Sequence, residues 1–369
     1  MKKWILIIGA VIALTACKTT KNEDPELPQP PEYDESLVLG ADLSLLPRYE
    51  QANAVYKDSL GKRIEPLTYF ADQKFNCVRI RLFVEPDTKS DSCQDLAYVL
   101  DFAQKVKTAG LQFMLDFHYS DGWADPAKQT KPAAWADLDF DALDKQVYDY
   151  TTNVLNALNA AGCTPDYIQT GNEITGGMLW NDGRTSNMNN FCTLLKSAAK
   201  ACRECCPKAK TVLHIESPQK TNNVVWFYNN MAQNGVDYDI IGLSYYPHWH
   251  GSLSMLSTTL KTLETQFADK TVMIVEFGYN NAWYPADATY NYTKTYPATP
   301  EGQAKITREL VQTLRQFRQV KGLFYWFPEE NEAKYTGILP SWTNRGLFSN
   351  NNGQALPALY ILKDFRLKQ

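Results

Sequence analysis

Residues 272–278 read VMIVEFG. Four apolar residues run without interruption into Glu276, and a glycine follows two positions later. A run this short and continuous fits a parallel strand covered on both faces, because a half-exposed strand would alternate polar and apolar residues. The acidic residue at its C-terminal end marks a place where the buried strand meets something polar. Seven runs of similar kind occur at residues 38–44, 76–83, 112–119, 167–172, 211–216, 240–246 and 322–327. Between them, residues 96–109, 143–161, 188–205 and 302–320 carry helical spacing. Gly110 and Gly162 stand where a C-terminal cap is expected after two of these helices. Eight strand-then-helix units predict an α/β fold, a single (β/α)8 TIM barrel over residues 37–369. A doubly wound open sheet is the competing arrangement. The segment after the first strand, GADLSLLPRY at 40–49, is not a glycine-rich phosphate loop and speaks against it.

The chain's 369 residues are within the range of one large barrel, and its 44% hydrophobic content suffices for a sizeable core. The net charge of −4 comes with no basic stripe, which excludes nucleic acid as an expected partner. Nine Trp and 21 Tyr supply either an aromatic-rich core or flat rings for a sugar to stack on. Composition alone favours the plain core.

The amino terminus reads as a targeting segment. Lys2 and Lys3 precede an apolar run at 4–14, too short to span a bilayer as a mature helix. It ends in Leu14-Thr15-Ala16-Cys17, which resembles a bacterial lipobox. That resemblance implies a lipoprotein signal peptide at 1–17, with Cys17 lipidated as the mature amino terminus. An ordinary cleavable signal with an incidental Cys17 is the alternative. Residues 18–36 are polar and proline-rich, as a flexible linker would be. The expectation is an exported enzyme held to a membrane through Cys17, at the surface of a Gram-negative cell. Seven further cysteines leave at least one unpaired or paired between molecules. Cys202, Cys205 and Cys206 lie in the helical pattern FCTLLKSAAKACRECC with no histidine nearby, so no metal is expected there.

The strand ends carry the chemistry. They read Asp42, Arg79 and Arg81, His118 and Tyr119, Asn172 and Glu173, Glu216, Tyr245 and Tyr246, Glu276, and Trp326. Active sites of such barrels lie at these C-terminal ends. Cutting a glycosidic bond requires one carboxyl to protonate the leaving oxygen and another to attack carbon or activate water. Glu173 and Glu276, ending strands four and seven, are the candidates. A cation lowers a neighbouring carboxylate's pKa, so Arg79 or Arg81 is expected to keep Glu276 ionised. Glu173 needs the opposite shift and so a less polar spot. Asn172 can donate to a sugar 2-hydroxyl, and the Tyr245 hydroxyl is expected to hold the Glu276 carboxylate. His118, His248 and His250 fall on two separate strand ends, so hydrogen bonding is favoured over metal ligation. His214 reads as a barrel residue.

The Asn-Glu pair on strand four with Glu on strand seven resembles the clan A retaining hydrolases, in which the carboxyls stand roughly 5–5.5 Å apart. A narrower resemblance rests on HYSDGWADPAKQTKPAAW at 118–135, GNEITGGMLW at 171–180 and IGLSYYPHWHG at 241–251. With VLGADLS at 38–44, FNCVRIRL at 75–82, TPEGQ at 299–303 and FYW at 324–326, the chain resembles glycoside hydrolase family 53, the endo-β-1,4-galactanases. The resemblance implies endo hydrolysis of β-1,4-galactan and type I arabinogalactan with retention, Glu173 as acid/base and Glu276 as nucleophile. It puts Asp42, Arg81, His118, Asn172, Tyr245, Trp249, His250 and Trp326 around the substrate, while the loop aromatics Trp123 and Trp249 either line outer subsites or pack the loops. Trp326 is the expected sugar platform. No cofactor and no resident metal are expected, and the enzyme is expected to be a monomer.

Two loops depart from the family pattern. Glu85 in LFVEP stands near an expected Asn, and Phe327 in FYWFPEEN stands where an acid is usual. The stretch at 279–300 lacks the dense acidic pattern of a calcium loop, although Asp287 could serve as one ligand. Another clan A endo-glycanase, a β-mannanase or cellulase, would share both glutamates. A non-catalytic surface glycan-binding lipoprotein would keep the aromatics but need no such pair.

Overall fold

Eight parallel strands close on themselves in the computed structural model, which describes residues 31–333, 338 and 344–368. They are β1 (Val38–Asp42), β2 (Cys77–Leu82), β3 (Gln112–Phe117), β4 (Tyr167–Thr170), β5 (Lys210–Ile215), β6 (Ile240–Tyr245), β7 (Thr271–Phe277) and β8 (Val320–Trp326). Each strand pairs with its sequence neighbours, and β1 pairs with β8 as well as β2, so no edge is left open. Every expected run is a strand, and each stops one or two residues short of its expected C-terminal end. The chain leaves the ladder there to turn. Tyr119, Glu173, Ser217 and Phe327, all just past strand ends, have φ of 50°, 49°, 61° and 59°.

The helices follow their local signals. Asp95 and Asp139 accept from the N–H groups of Tyr98 and Ala142 at 2.8 and 2.9 Å, capping Leu96–Thr108 and Phe140–Ala160. The second cap explains why that helix starts three residues before the expected 143. Gly110 and Gly162 follow these helices with φ of 75° and 71°, a turn that costs glycine nothing. Thr299 caps Pro300–Leu314, which ends well before the expected residue 320.

The barrel interior obeys the strand period of two. Val38, Cys77, Met114, Val212, Ile240, Met273, Val275 and Phe324 fill its lower part. Gly40 and Gly322 lie among them because a Cβ there would fall 2.0 Å from the Phe324 ring and 2.7 Å from Met273. Counting upward by twos gives the inward residues at the mouth: Asp42, Arg79 and Arg81, Asp116, Gln169, His214, and Ser244. β7 breaks the count. Its register slips between Ile274 and Phe277 against both neighbours, a β-bulge. Val275 belongs to the inner cluster, so the bulge is what turns Glu276 inward as well.

The compact body begins at Tyr33, which bridges to Leu367. The Asp34 N–H donates to the Arg366 carbonyl at 2.7 Å, and Arg366 pairs with Glu35 at 2.6 Å. Residues 33–36 therefore belong to the folded body and not to the expected linker. Cys17, the signal segment and the linker up to residue 30 lie outside the described residues. The seven cysteines of the described residues carry free thiols, Cys202 and Cys206 being buried and Cys205 half-buried.

Candidate active site

The two glutamates open into one cleft of about 760 Å³ at the C-terminal mouth of the barrel. Arg81, His118, Trp123, Asn172, Trp249, His250 and Trp326 share its wall, as the sequence suggested. So do Glu216, Tyr246, Asp287 and Arg345.

A buried charge cluster supports Glu276. Arg79, fully buried, donates through Nη1 to Asp42 at 2.7 Å and lies 3.0 Å from Glu276 Oε1. Its Nη2 donates to Asp116 at 2.8 Å and to Asn172 Oδ1 at 3.0 Å. Burial works against this cation, but Asp116, Glu276 and Asp42 together outweigh it and raise its pKa. Of the two candidate arginines, Arg79 is thus the one beside Glu276. Arg81 pairs with Asp42 at 3.0 Å, and its guanidinium lies over the rings of Trp123 and Phe327 at 4.7 and 4.5 Å.

Two expectations are corrected. Asp42 is absent from the cleft wall; it is fully buried and holds both arginines from behind. Tyr245 does not reach Glu276, since its hydroxyl donates to the Gly251 carbonyl at 3.0 Å. Tyr246 donates to Glu276 Oε2 at 2.8 Å instead. The cause is strand parity, for Ile240, Gly242, Ser244 and Tyr246 alternate inward while Tyr245 packs outward against Phe277.

Glu173 has different company. Its φ and ψ of 49° each put it in a left-handed turn directly after β4, a conformation that costs a non-glycine residue about 1 kcal/mol or more. Ser244 Oγ donates to its Oε1 at 2.6 Å. His214, within hydrogen-bond reach of Ser244 at 2.8 Å, is kept neutral by burial. Loss of water around Glu173, then the charges of Glu276 and Glu216, push its pKa well above the ordinary carboxyl value. Burial raises Glu276 too, and Arg79 and Tyr246 oppose that rise without cancelling it. Glu276 is therefore the carboxyl of this pair that gives up its proton first. One cleft thus holds a carboxyl strongly biased toward its acid form and another in which a cation and a hydroxyl donor oppose that bias.

The other expected residues fall into place around this pair. Asn172 Nδ2 donates one hydrogen to the Ala124 carbonyl at 2.9 Å and keeps a second. His118 is neutral because of burial, with Nδ1 accepting from Ala124 N–H at 3.2 Å and Nε2 3.1 Å from Asp116. His250 is pushed down to about 3 by burial and accepts from Tyr246 N–H at 3.1 Å, which fixes the turn after β6. Trp326 meets Tyr246 edge-on at 6.1 Å and lies 6.3 Å from Trp123. Arg345 covers the rings of Tyr246, Trp249 and Trp326 from 4.8 to 5.6 Å.

The departure at Phe327 has a visible consequence. Its ring packs on Arg81 and Trp326, and the acids come two and three residues later. Glu329 accepts from Leu45 N–H at 2.9 Å. Glu330 accepts from the N–H groups of Asn344, Arg345 and Gly346, and so pins the loop segment that carries Arg345 over the cleft. The Gln303 amide of TPEGQ joins the Tyr279 and Arg345 carbonyls across the loops after β7 and β8. Sequence reading missed Ser244 and Arg345. Parity would have found the first; no local signal marks the second.

Comparison with known proteins agrees with this geometry. The sequence model of glycosyl hydrolase family 53 matches residues 38–362. An arabinogalactan endo-β-1,4-galactanase of Cellvibrio japonicus is 34% identical over 98% of this chain and 97% of its own length. One from Thermothelomyces thermophilus is 33% identical over 88% and 98%. Among solved structures, the GH53 catalytic domain of Ignisphaera aggregans superposes with a TM-score of 0.82 at 32% identity, covering 89% of this chain and 95% of that one. Xylanases at 14–16% identity share the barrel alone. A barrel with paired glutamates at its mouth, matched from β1 to the last helix and over nearly the full length of these relatives, makes this chain a glycoside hydrolase belonging to glycosyl hydrolase family 53.

Proposed function

We propose that this enzyme hydrolyses internal β-1,4-galactosidic bonds of galactan and type I arabinogalactan with retention, using Glu173 as acid/base and Glu276 as nucleophile. The observation that carries the mechanism is the unequal setting of two carboxyls in one cleft. Glu276 lies beside Arg79 and the Tyr246 hydroxyl, which favour an anion able to attack the anomeric carbon. Glu173 is buried beside the charges of Glu276 and Glu216, which together keep its proton in place for the leaving oxygen. After attack, Glu173 is a carboxylate and can take a proton from the incoming water. Trp326, Trp123 and Trp249 on the wall suit the apolar faces of sugar rings. The relatives that carry the galactanase name support the substrate. Activity should fall as pH rises through the Glu173 pKa and as it falls through that of Glu276.

Digestion of purified galactan with product sizing tests this reading. Mid-length galacto-oligomers should appear first, and mannan and cellulose should release nothing. A steady release of one short sugar would replace endo action by exo action, and no release from galactan would end the substrate assignment.

The exchange of Tyr245 for Tyr246 is separately checkable. Tyr246→Phe should lower kcat/KM about 10- to 100-fold and move the acidic limb of the pH profile upward, because the carboxylate loses a donor. Tyr245→Phe should leave kcat/KM near wild type and cost about 1 kcal/mol of stability from the lost bond to Gly251. Equal kinetic losses in the two variants would contradict the parity argument.

The Leu14-Thr15-Ala16-Cys17 segment supports an exported enzyme anchored by lipid on Cys17 at a Gram-negative cell surface. Cell fractionation should find the full chain with membranes and Cys17→Ala in the soluble fraction. Wild-type protein in the soluble fraction would exclude the anchor.

A further inference from the structure

We propose that Ser244, oriented by His214, is a positioning residue for Glu173: it occupies Oε1, so that the transferable proton resides on Oε2, the oxygen left to face the cleft. The inference rests on Glu173 being the general acid.

The hydrogen bonds give the direction. His214 Nδ1 has two donors near it, the Glu173 N–H at 3.4 Å and Gln169 Nε2 at 3.1 Å. An imidazole accepting at Nδ1 carries its hydrogen on Nε2. That hydrogen donates to Ser244 Oγ at 2.8 Å, and the serine hydroxyl then has only the Glu173 Oε1, 2.6 Å away, to donate to. One contact pulls the other way. Asn172 Oδ1 lies 3.0 Å from Nδ1 and would accept from the opposite tautomer. It is already served by Arg79 Nη2 at 3.0 Å, so it does not require the imidazole hydrogen, and Gln169 Nε2 can give one hydrogen to Asp116 Oδ1 at 2.5 Å and its other to Nδ1.

The chain of bonds is shielded. His214 and Ser244 are fully buried, on adjacent strands β5 and β6, both at inward positions. Burial keeps His214 neutral, with Arg79, His118 and His250 adding to that bias, so it remains a fixed dipole and not a second acid. The charged groups facing Glu173 are Glu276 from β7, Glu216 from the end of β5 and Asp125 from the loop after β3. All three are acidic and hold the proton on Glu173. Ser244 opposes them by stabilising the carboxylate. Its role is to offset part of that bias and to decide which oxygen carries the proton.

Two aryl β-galactobiosides separate this role from a merely structural one. With a phenol leaving group, kcat/KM requires protonation; with dinitrophenol it does not. Ser244→Ala should lower kcat/KM about 10- to 100-fold on the phenyl substrate and less than about 2-fold on the dinitrophenyl one. The alkaline limb on the phenyl substrate should move up by about 0.5–1 pH unit, since a donor to the carboxylate is lost. Ser244→Thr, which keeps the hydroxyl, should restore both. The opposite tautomer would make Ser244 an acceptor for the Glu173 proton, and its loss would move the same limb down. A downward shift, an unmoved limb, or equal losses on both substrates overturns the proposal. Wild-type enzyme that cleaves the aryl glycosides but not galactan would fail the substrate reading alone and leave this comparison intact. Equal effects of Glu173→Ala on the two aryl substrates would instead remove the general acid on which it rests.

Discussion

Glu276→Ala should reduce hydrolysis by at least about 10⁴-fold while leaving the barrel folded. Losses of this order follow when the nucleophile of a two-step mechanism is deleted, because no neighbouring group takes over its bond to carbon. Glu173 cannot, since it is held in the left-handed turn after β4 and tied to Ser244. The fold should survive because Arg79 keeps Asp42 and Asp116 as partners at 2.7 and 2.8 Å. The change removes one anion from a buried cluster and strands no cation. The stereochemistry of rescue tells the two glutamates apart. With an activated aryl β-galactoside, azide should enter the space left in Glu276→Ala and give the α-galactosyl azide by a single inversion. In Glu173→Ala the covalent intermediate still forms, so azide should give the β-product. Circular dichroism and glycan binding should match wild type in both variants. Residual activity near wild type in folded Glu276→Ala, or the same azide anomer from both variants, would defeat the role assignment.

Much of the barrel was legible because buried parallel strands write themselves as short apolar runs. Every expected strand is present, and Glu173 and Glu276 do share one mouth. The errors cluster at strand ends, where the chain leaves the ladder and propensity no longer governs it. Tyr245 was mistaken for Tyr246 because both follow the same run, and only the inward alternation through Gly242 and Ser244 distinguishes them. Alternation by itself would also have failed for Glu276. Counted from Met273 and Val275 it should point outward, and only the bulge in β7 turns it into the barrel. A bulge leaves no trace in VMIVEFG. Asp42 carried the right signal, an acid at a strand end, but its distance from the cleft depends on two arginines reaching across from β2. Arg345 was beyond reach for a different reason. It is placed by Glu330 and Gln303 across loops whose geometry is set by tertiary contacts between distant residues.

Arg79→Met should damage activity less than loss of a glutamate does, and the fold far more. Arg79 serves Asp42 and Glu276 through Nη1 and Asp116, Asn172 and Gln169 through Nη2. Among the described residues no other cation spans these groups, because Arg81 pairs with Asp42 alone. Removing one partner of a buried ion cluster costs about 3–5 kcal/mol, since the remaining charges stay out of water without compensation. Methionine keeps most of the volume, so packing contributes little to that cost. For the nucleophile the consequence follows from sign. Burial raises Glu276 and Arg79 lowers it, so without Arg79 the proton stays on to higher pH. Activity requires the anion, so the acidic limb of kcat/KM should move upward and the neutral-pH rate should drop about 10²-fold or more. Arg79→Lys separates charge from geometry. An ammonium can neutralise part of the cluster but cannot fork toward Glu276 and Asp116 together. It should recover part of the stability and leave the acidic limb displaced. Adding Asp116→Asn to Arg79→Met should restore stability, by removing one stranded anion, without restoring the rate. If Arg79→Met were as stable as wild type with an unmoved acidic limb, the cluster would be ornamental and the ionisation of Glu276 would need another cause.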